Sequence, residues 1–282
     1  MQDNLFSISG EVNADKTAIV ARRRRLLRVL ITVTAAPNPS ASHGETVCVA
    51  GLEVGVERTN WIRLYPVNLR HLGEGARFRK YDVIEVEATP ATADSRTESW
   101  KPDMRTMKVV ARHKVPWDRR AWVDPMIEPS MCALLSAVAM SSTAQSLALI
   151  RPAAILGLDL EDHPGWSRDE QLKIDAYVNQ FELFDASEKT PLEAPRFKAW
   201  YLYRCGDPGC QGRHRQGVLD WELVAYQRRL RRVSDANLRR AIHERFFGMI
   251  CDARKDTCFF VGNQAKHRNT FSVIGMYYPP RR

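Results

Sequence analysis

The 282-residue sequence contains no run of 18 or more apolar residues, so it offers nothing of the length a membrane-spanning helix needs. The apolar stretch at Leu26–Val33 is too short for that role. It follows the basic run Arg22–Arg25, as the core of a secretion signal would, but Arg28 interrupts it and no small-residue cleavage motif follows. A cytoplasmic location is the expectation. The sequence also lacks a phosphate-binding Walker loop, a G-x-G-x-x-G turn and a G-x-S-x-G nucleophile elbow, and no repeat of solenoid length is found. The common nucleotide-hydrolysing, dinucleotide-dependent and esterase-like activities therefore have no local signature.

What is present is positive charge. The net charge is +9, with 44% hydrophobic and 27% charged residues. An excess of this kind favours a polyanionic partner, and nucleic acid is the commonest. Residues 1–28 hold Lys16, Arg22–Arg25 and Arg28 against Asp3, Glu11 and Asp15, so most of the excess lies in the body of the chain.

The pattern predicts an α+β fold of two small β-barrels with helical insertions. Residues 1–27 are expected to be a disordered basic extension. Residues 28–120 form the first barrel, 121–144 a helical connection, and 145–282 the second barrel, with two helices. Short β-branched or alternating runs predict strands at RVLITVT, Val47–Leu52, Trp61–Tyr65, Asp82–Ala88 and Thr106–Ala111. Pro125–Ala139 reads as a helix, and SLALIRPAAILGLDL returns to strand. Ser167–Asn179 fits either state. PRFKAWYLYRC alternates like a strand. Leu219, Leu223, Tyr226, Leu230 and Val233 make a helical stripe, which Leu238, Ile242, Phe246 and Met249 repeat. CFFVG and TFSVIGMYY close the chain as strands.

Four constellations carry possible chemistry. The first is Cys205-Gly-Asp-Pro-Gly-Cys210-Gln-Gly-Arg-His214. A tight Asp-Pro-Gly turn brings two thiols together, and His214 follows within reach. Thiolate and imidazole together favour Zn2+. Cys48, Cys251, Cys258 and Asp220 are candidates for the fourth ligand, and a closed structural site completed by Cys258 is the expectation. The second is a run of eight arginines between Arg215 and Arg245. Arg228, Arg229, Arg231 and Arg232 lie off the apolar stripe and are expected to face outward toward phosphates. The third is the loop at residues 94–103, which offers Arg96 and Lys101 for nucleic acid. Its acids, with Glu85, Glu87, Asp94 and Glu98 taken together, give a nuclease-like carboxylate cluster as an alternative. The fourth is β-strand WIRLYPV, where Trp61, Arg63 and Tyr65 share one face as a stacking platform for bases.

The pieces VCVAGL, WIRLYPV, FRKYDVIEVEA and SLALIRP resemble the bacterial dual OB domain-containing proteins. That family has a Cys-Val-Ala-Gly element, a Trp-Ile-Arg-Pro-like strand and two OB-type barrels. The departure is Leu64, where the family pattern has proline directly after the arginine; this points to a sister family. The resemblance implies that the two small barrels are OB-like, and it implies a nucleic-acid-linked role in bacterial defence, with no established enzymatic activity. It adds weight to Arg63 as a binding residue and to Cys48 as a site residue. The combined expectation is a zinc-containing nucleic-acid-binding protein; a metal-dependent nuclease-like enzyme and a protein-binding scaffold, such as a member of a defence complex, are the alternatives.

Overall fold

The computed structural model describes residues 24–281, apart from 43, 70–71, 93, 114–115, 180–189, 211, 213 and 266. The expected extension over residues 1–23 lies outside the described residues. The expectation does not hold for Arg25–Leu27, which open the first strand, with Leu27 fully buried.

The first half holds β1 (Arg25–Thr34), β2 (Asn38–Ser40), β3 (Gly44–Glu53), β4 (Trp61–Val67), β5 (Asp82–Pro90), β6 (Ser99–Pro102) and β7 (Lys108–Arg112). Hydrogen bonding runs β1-β3-β4-β6-β5 and closes through a β1–β5 pairing, giving a five-stranded barrel in which β4 and β6 are parallel. β2 and β7 add to its edges. Closure removes the free strand edges that would otherwise invite association.

A connection follows, made of α1 (Pro116–Val123), a 3-10 turn (Asp124–Met126), β8 (Ile127–Glu128) and α2 (Met131–Met140). The helix expected from Pro125 begins only at Met131. Pro129 disfavours helical backbone at Glu128, and the Ser130 side chain caps the new helix by accepting from Ala133 N–H.

The second half holds β9 (Leu147–Ile150), β10 (Pro152–Asp162), α3 (Arg168–Val178), β11 (Phe197–Cys205), β12 (His214–Gly217), α4 (Trp221–Arg229), α5 (Asp235–His243), a π-helical turn (Glu244–Met249), β13 (Cys258–Gln264) and β14 (His267–Tyr277). α3 resolves the ambiguous segment: Ser167 and Glu170 form a capping box at its start. β9 and β10 are one strand bent at Arg151. The order β9/β10-β11-β12 continues to β14 through a parallel bridge, Val218 with Val273, and a Leu219 N–H to Val273 carbonyl bond of 2.7 Å. β14 pairs with β13, and β13 returns to β9. The second half thus repeats the strand order of the first, with a parallel contact between its third and fifth strands. The fold is α+β, with OB-like barrels and helical insertions.

Three apolar cores follow from strand alternation. Val29, Ile31, Val49, Ile62 and Leu64 fill the first barrel. Tyr201, Tyr203, Phe246, Phe259 and Val273 fill the second. The opposite faces of the same strands meet between them: Leu30, Val33, Ala50, Leu52 and Trp61 pack with Leu149, Phe260, Ile274 and Tyr277. This explains why β3 is buried along nearly its whole length. On α5 the stripe holds for Leu238, Ile242 and Phe246, but Met249 is 55% exposed. The wider π turn shifts the angular register and carries it outward. Among the described residues no helix is long and apolar enough to cross a membrane.

Candidate metal centre

Cys205 ends β11, where the buried strand brings it to the rim of the second barrel. The chain then reverses. Cys210 N–H donates to the Asp207 carbonyl at 3.0 Å, and Gly209 N–H donates to Asp207 Oδ1 at 2.8 Å, so one aspartate sets the turn through both backbone and side chain. Gly206 N–H donates to the Pro129 carbonyl at 2.7 Å. A Cβ on Gly206 would stand 3.0 Å from that oxygen, which makes this close approach a glycine position. Asp207 Oδ2 accepts from Ser130 Oγ at 2.6 Å. The turn is therefore locked onto the N-terminus of α2, whose second residue is Cys132. His214 opens β12 opposite Tyr203, with ring centroids 5.1 Å apart.

These elements bring four ligand atoms together. The Sγ atoms of Cys132, Cys205 and Cys210 and Nε2 of His214 all lie within 4.8 Å of one another. His214 Nε2 is 3.4 Å from Cys205 Sγ, 3.5 Å from Cys210 Sγ and 3.6 Å from Cys132 Sγ, and the Cys132–Cys205 sulfur separation is 3.7 Å. A tetrahedral ion with thiolate bonds of about 2.3 Å and imidazole bonds of about 2.0 Å holds its ligand atoms about 3.5–3.8 Å apart. The side chains thus have the spacing of a site that can hold a metal ion.

The thiols of the cluster oppose one another's ionisation. Burial pushes the Cys205 thiol up, but backbone N–H donors and the His214 and Cys210 side chains outweigh it and hold the thiol at about 6. Cys132 is pushed up to about 12 by burial and by the neighbouring thiols. Without a cation, one thiolate discourages the next; a bound cation removes that penalty.

The expected trio Cys205, Cys210 and His214 converges, but the fourth member is Cys132, not Cys258. Cys258 is fully buried on β13, where its Sγ faces the Asp256 carbonyl at 3.8 Å. Cys251 lies against the Phe246 carbonyl, and Cys48 accepts from Arg63 at 3.4 Å. Asp220 caps α4 by accepting from Glu222 N–H. Cys132 has no local signal in the sequence: it stands on α2, 73 positions before Cys205, and joins the cluster only through tertiary packing.

Residues 127–282 match the family described as Domain of unknown function (DUF8757). The chain belongs to this family. Residues 25–125 match a second, Domain of unknown function (DUF8758). No curated protein matches the chain. The junction falls just before β8, so all four ligands, including the connector's Cys132, lie inside the DUF8757 segment.

The expected nucleic-acid contacts divide. On β4, Trp61 and Arg63 are buried at the contact between barrels, and only Tyr65 emerges, 48% exposed. Trp61 meets the edge of Phe260. The Arg63 guanidinium donates to Cys48 Sγ and, at 2.9 Å, to Ser146 Oγ; Ser146 N–H and Oγ in turn donate to Glu98. The strand face expected as a stacking platform is therefore covered by the DUF8757 barrel. Arg96 is bidentate on Asp94 and donates to the Asn263 carbonyl at 2.6 Å, so it ties the barrels together too. Lys101 stays exposed. Arg229, Arg231 and Arg232 are exposed, and Arg228 is half-buried with its guanidinium over Trp221.

The carboxylates do not converge. Glu85 pairs with Lys108, Glu87 with Arg24, Asp94 with Arg96, and Glu98 with Ser146. Each already has its own partner, and among the described residues the Cys/His group is the one cluster of metal-ligand type.

Proposed function

We propose that the chain is a zinc-containing nucleic-acid-binding protein whose binding surface lies on the helical side of the second barrel. Zinc is favoured by the donor set: three thiolates and one imidazole at tetrahedral spacing suit a borderline-soft ion and exclude the oxygen-seeking magnesium and calcium. Four protein ligands complete the coordination, so the metal acts as a clamp. It holds the β11–β12 turn onto α2 and offers no open position for a substrate.

One observation carries the nucleic-acid reading. Arg228, Arg229, Arg231 and Arg232 stand together at the end of α4 and in the turn after it. Among the described residues, none of them meets a carboxylate at ion-pair distance. Neighbouring Arg196, Arg215 and Arg239 are all paired with acids. A local group of unneutralised guanidinium groups is what phosphate binding uses, and its energy comes from counterion release. The likeness to bacterial dual OB domain proteins supports the same reading and adds a defence setting.

The test is fluorescence anisotropy with labelled single- and double-stranded DNA and RNA over a range of salt. Binding that weakens linearly on a log–log salt plot is expected. No binding to any of them at low salt would reject the reading in favour of a protein-binding scaffold.

A further inference from the structure

A cavity of about 640 Å³ lies between the loop before α3, strands β11 and β12, and one side of α4. It is within the size range of small-molecule sites. The metal centre does not use it, and the arginine group reaches it only through Arg228.

Its walls are aromatic and fixed. Trp166 is anchored by its indole N–H, which donates to the Leu192 carbonyl at 2.7 Å. His163 stands edge-on to Trp166, with centroids 5.6 Å apart and planes at 74°. Gly165 N–H donates to His163 Nδ1 at 3.0 Å, which leaves Nε2 to carry the proton of the neutral ring. Across the cavity Trp200 sits on β11 with the Arg215 guanidinium 4.4 Å from its ring centre. Opposite Trp200 on β12 is Gly217, where a Cβ would stand 3.5 Å from the indole nitrogen.

The rim carries two cations and two acids. Lys198 is exposed, and among the described residues it meets no carboxylate at ion-pair distance; Arg228 also lines the cavity. Of the two acids at the rim, Glu170 is turned onto Ser167 by the capping box and Glu193 is exposed. Flat aromatic walls, a ring N–H donor and flanking cations match a ligand with a flat heteroaromatic body and an anionic group.

We propose that this cavity takes a single unpaired nucleotide, with its base among Trp166, His163 and Trp200 and its phosphate at Lys198 and Arg228. The proposal rests on the nucleic-acid reading and names a second site, which shares Arg228 with the arginine group. The nucleotide can be free or borne by a single strand, and the two sources are separable.

The experiment titrates the full chain with a fluorescein-labelled oligothymidylate, with and without excess UMP, using wild type, Trp166→Ala, Trp166→Phe and Lys198→Ala. Loss of one base stack is expected to weaken oligothymidylate binding about tenfold or more, with Trp166→Phe restoring most of it. Competition by UMP supports a site open to free nucleotide. No competition, with the variant effects intact, supports a strand-borne one. If wild type binds the oligonucleotide and neither Trp166→Ala nor Lys198→Ala changes affinity, the pocket proposal falls and the nucleic-acid reading stands. If UMP binds in a Trp166-dependent way and no oligonucleotide binds, the nucleic-acid reading falls and the pocket stands. Binding of neither overturns both. Lys198→Ala is a surface change and keeps the test open should Trp166→Ala fail to fold.

Discussion

Ser130 Oγ donates to Asp207 Oδ2 at 2.6 Å across 77 positions of sequence. Through this bond the cap of α2 and the turn between Cys205 and Cys210 become one unit, and Cys132 joins the other three ligands. Asp207 also accepts from Gly209 N–H, and its carboxyl is held below its ordinary range by Ser130 and by that backbone donor.

Asp207→Ala removes both bonds without touching a ligand. Supporting groups of this kind are worth about 10- to 100-fold in metal affinity. A competition titration with a chromophoric chelator is expected to show a loss of that size, with a smaller loss for Ser130→Ala. An Asp207→Ala protein that keeps wild-type affinity would remove the turn from the account.

The buried network between the barrels gives a second expectation. Arg63 faces Ser146, and Ser146 faces Glu98, with Arg63 and Glu98 both nearly inaccessible. Arg63→Ala would remove the donors to Cys48 and Ser146 and leave buried acceptors unpaired, at a cost of about 1–3 kcal/mol. Chemical denaturation is expected to show this loss. If Arg63 were instead a surface contact, its removal would leave stability unchanged and weaken nucleic-acid binding.

Asp220 sets a pH dependence. Burial raises its carboxyl to about 7, even though Lys80 opposes the shift. The unfolded chain ionises the same group near its ordinary value of 3.8. The unfolded state therefore loses its proton first, and this group withdraws stability as pH rises from about 4 to about 7. Asp220→Asn keeps an acceptor for the α4 cap and removes the charge. Its melting temperature relative to wild type is expected to be higher at about pH 8 than at about pH 4. An offset that does not change with pH would contradict the assignment.

Much of this was legible in the sequence, and the misses have physical causes. Alternation located most strands, and the Cys-Gly-Asp-Pro-Gly-Cys turn located three ligands because those residues are neighbours in the chain. Cys132 was not legible, because its approach depends on a contact between Ser130 and Asp207 that no local pattern encodes. Trp61 and Arg63 were misplaced for a related reason. An aromatic–arginine strand face looks the same whether it meets solvent or a second barrel, and only the packing of Phe260 and Ser146 decides which.

The arginine group makes a quantitative claim. Each phosphate contact to a single strand contributes about −0.7 to the log–log salt slope. The double change Arg231→Ala with Arg232→Ala is expected to flatten the slope by about 1.4 and to weaken binding to all sequences alike. An unchanged slope would place the phosphate contacts elsewhere.

The most direct test of the account is elemental analysis of the purified full chain by inductively coupled plasma mass spectrometry, run beside Cys132→Ser and Cys258→Ser. The account predicts about one equivalent of zinc in wild type, close to that in Cys258→Ser, and a marked loss in Cys132→Ser. Wild type without metal, or a Cys258→Ser protein that loses metal while Cys132→Ser keeps it, would contradict the four-ligand centre.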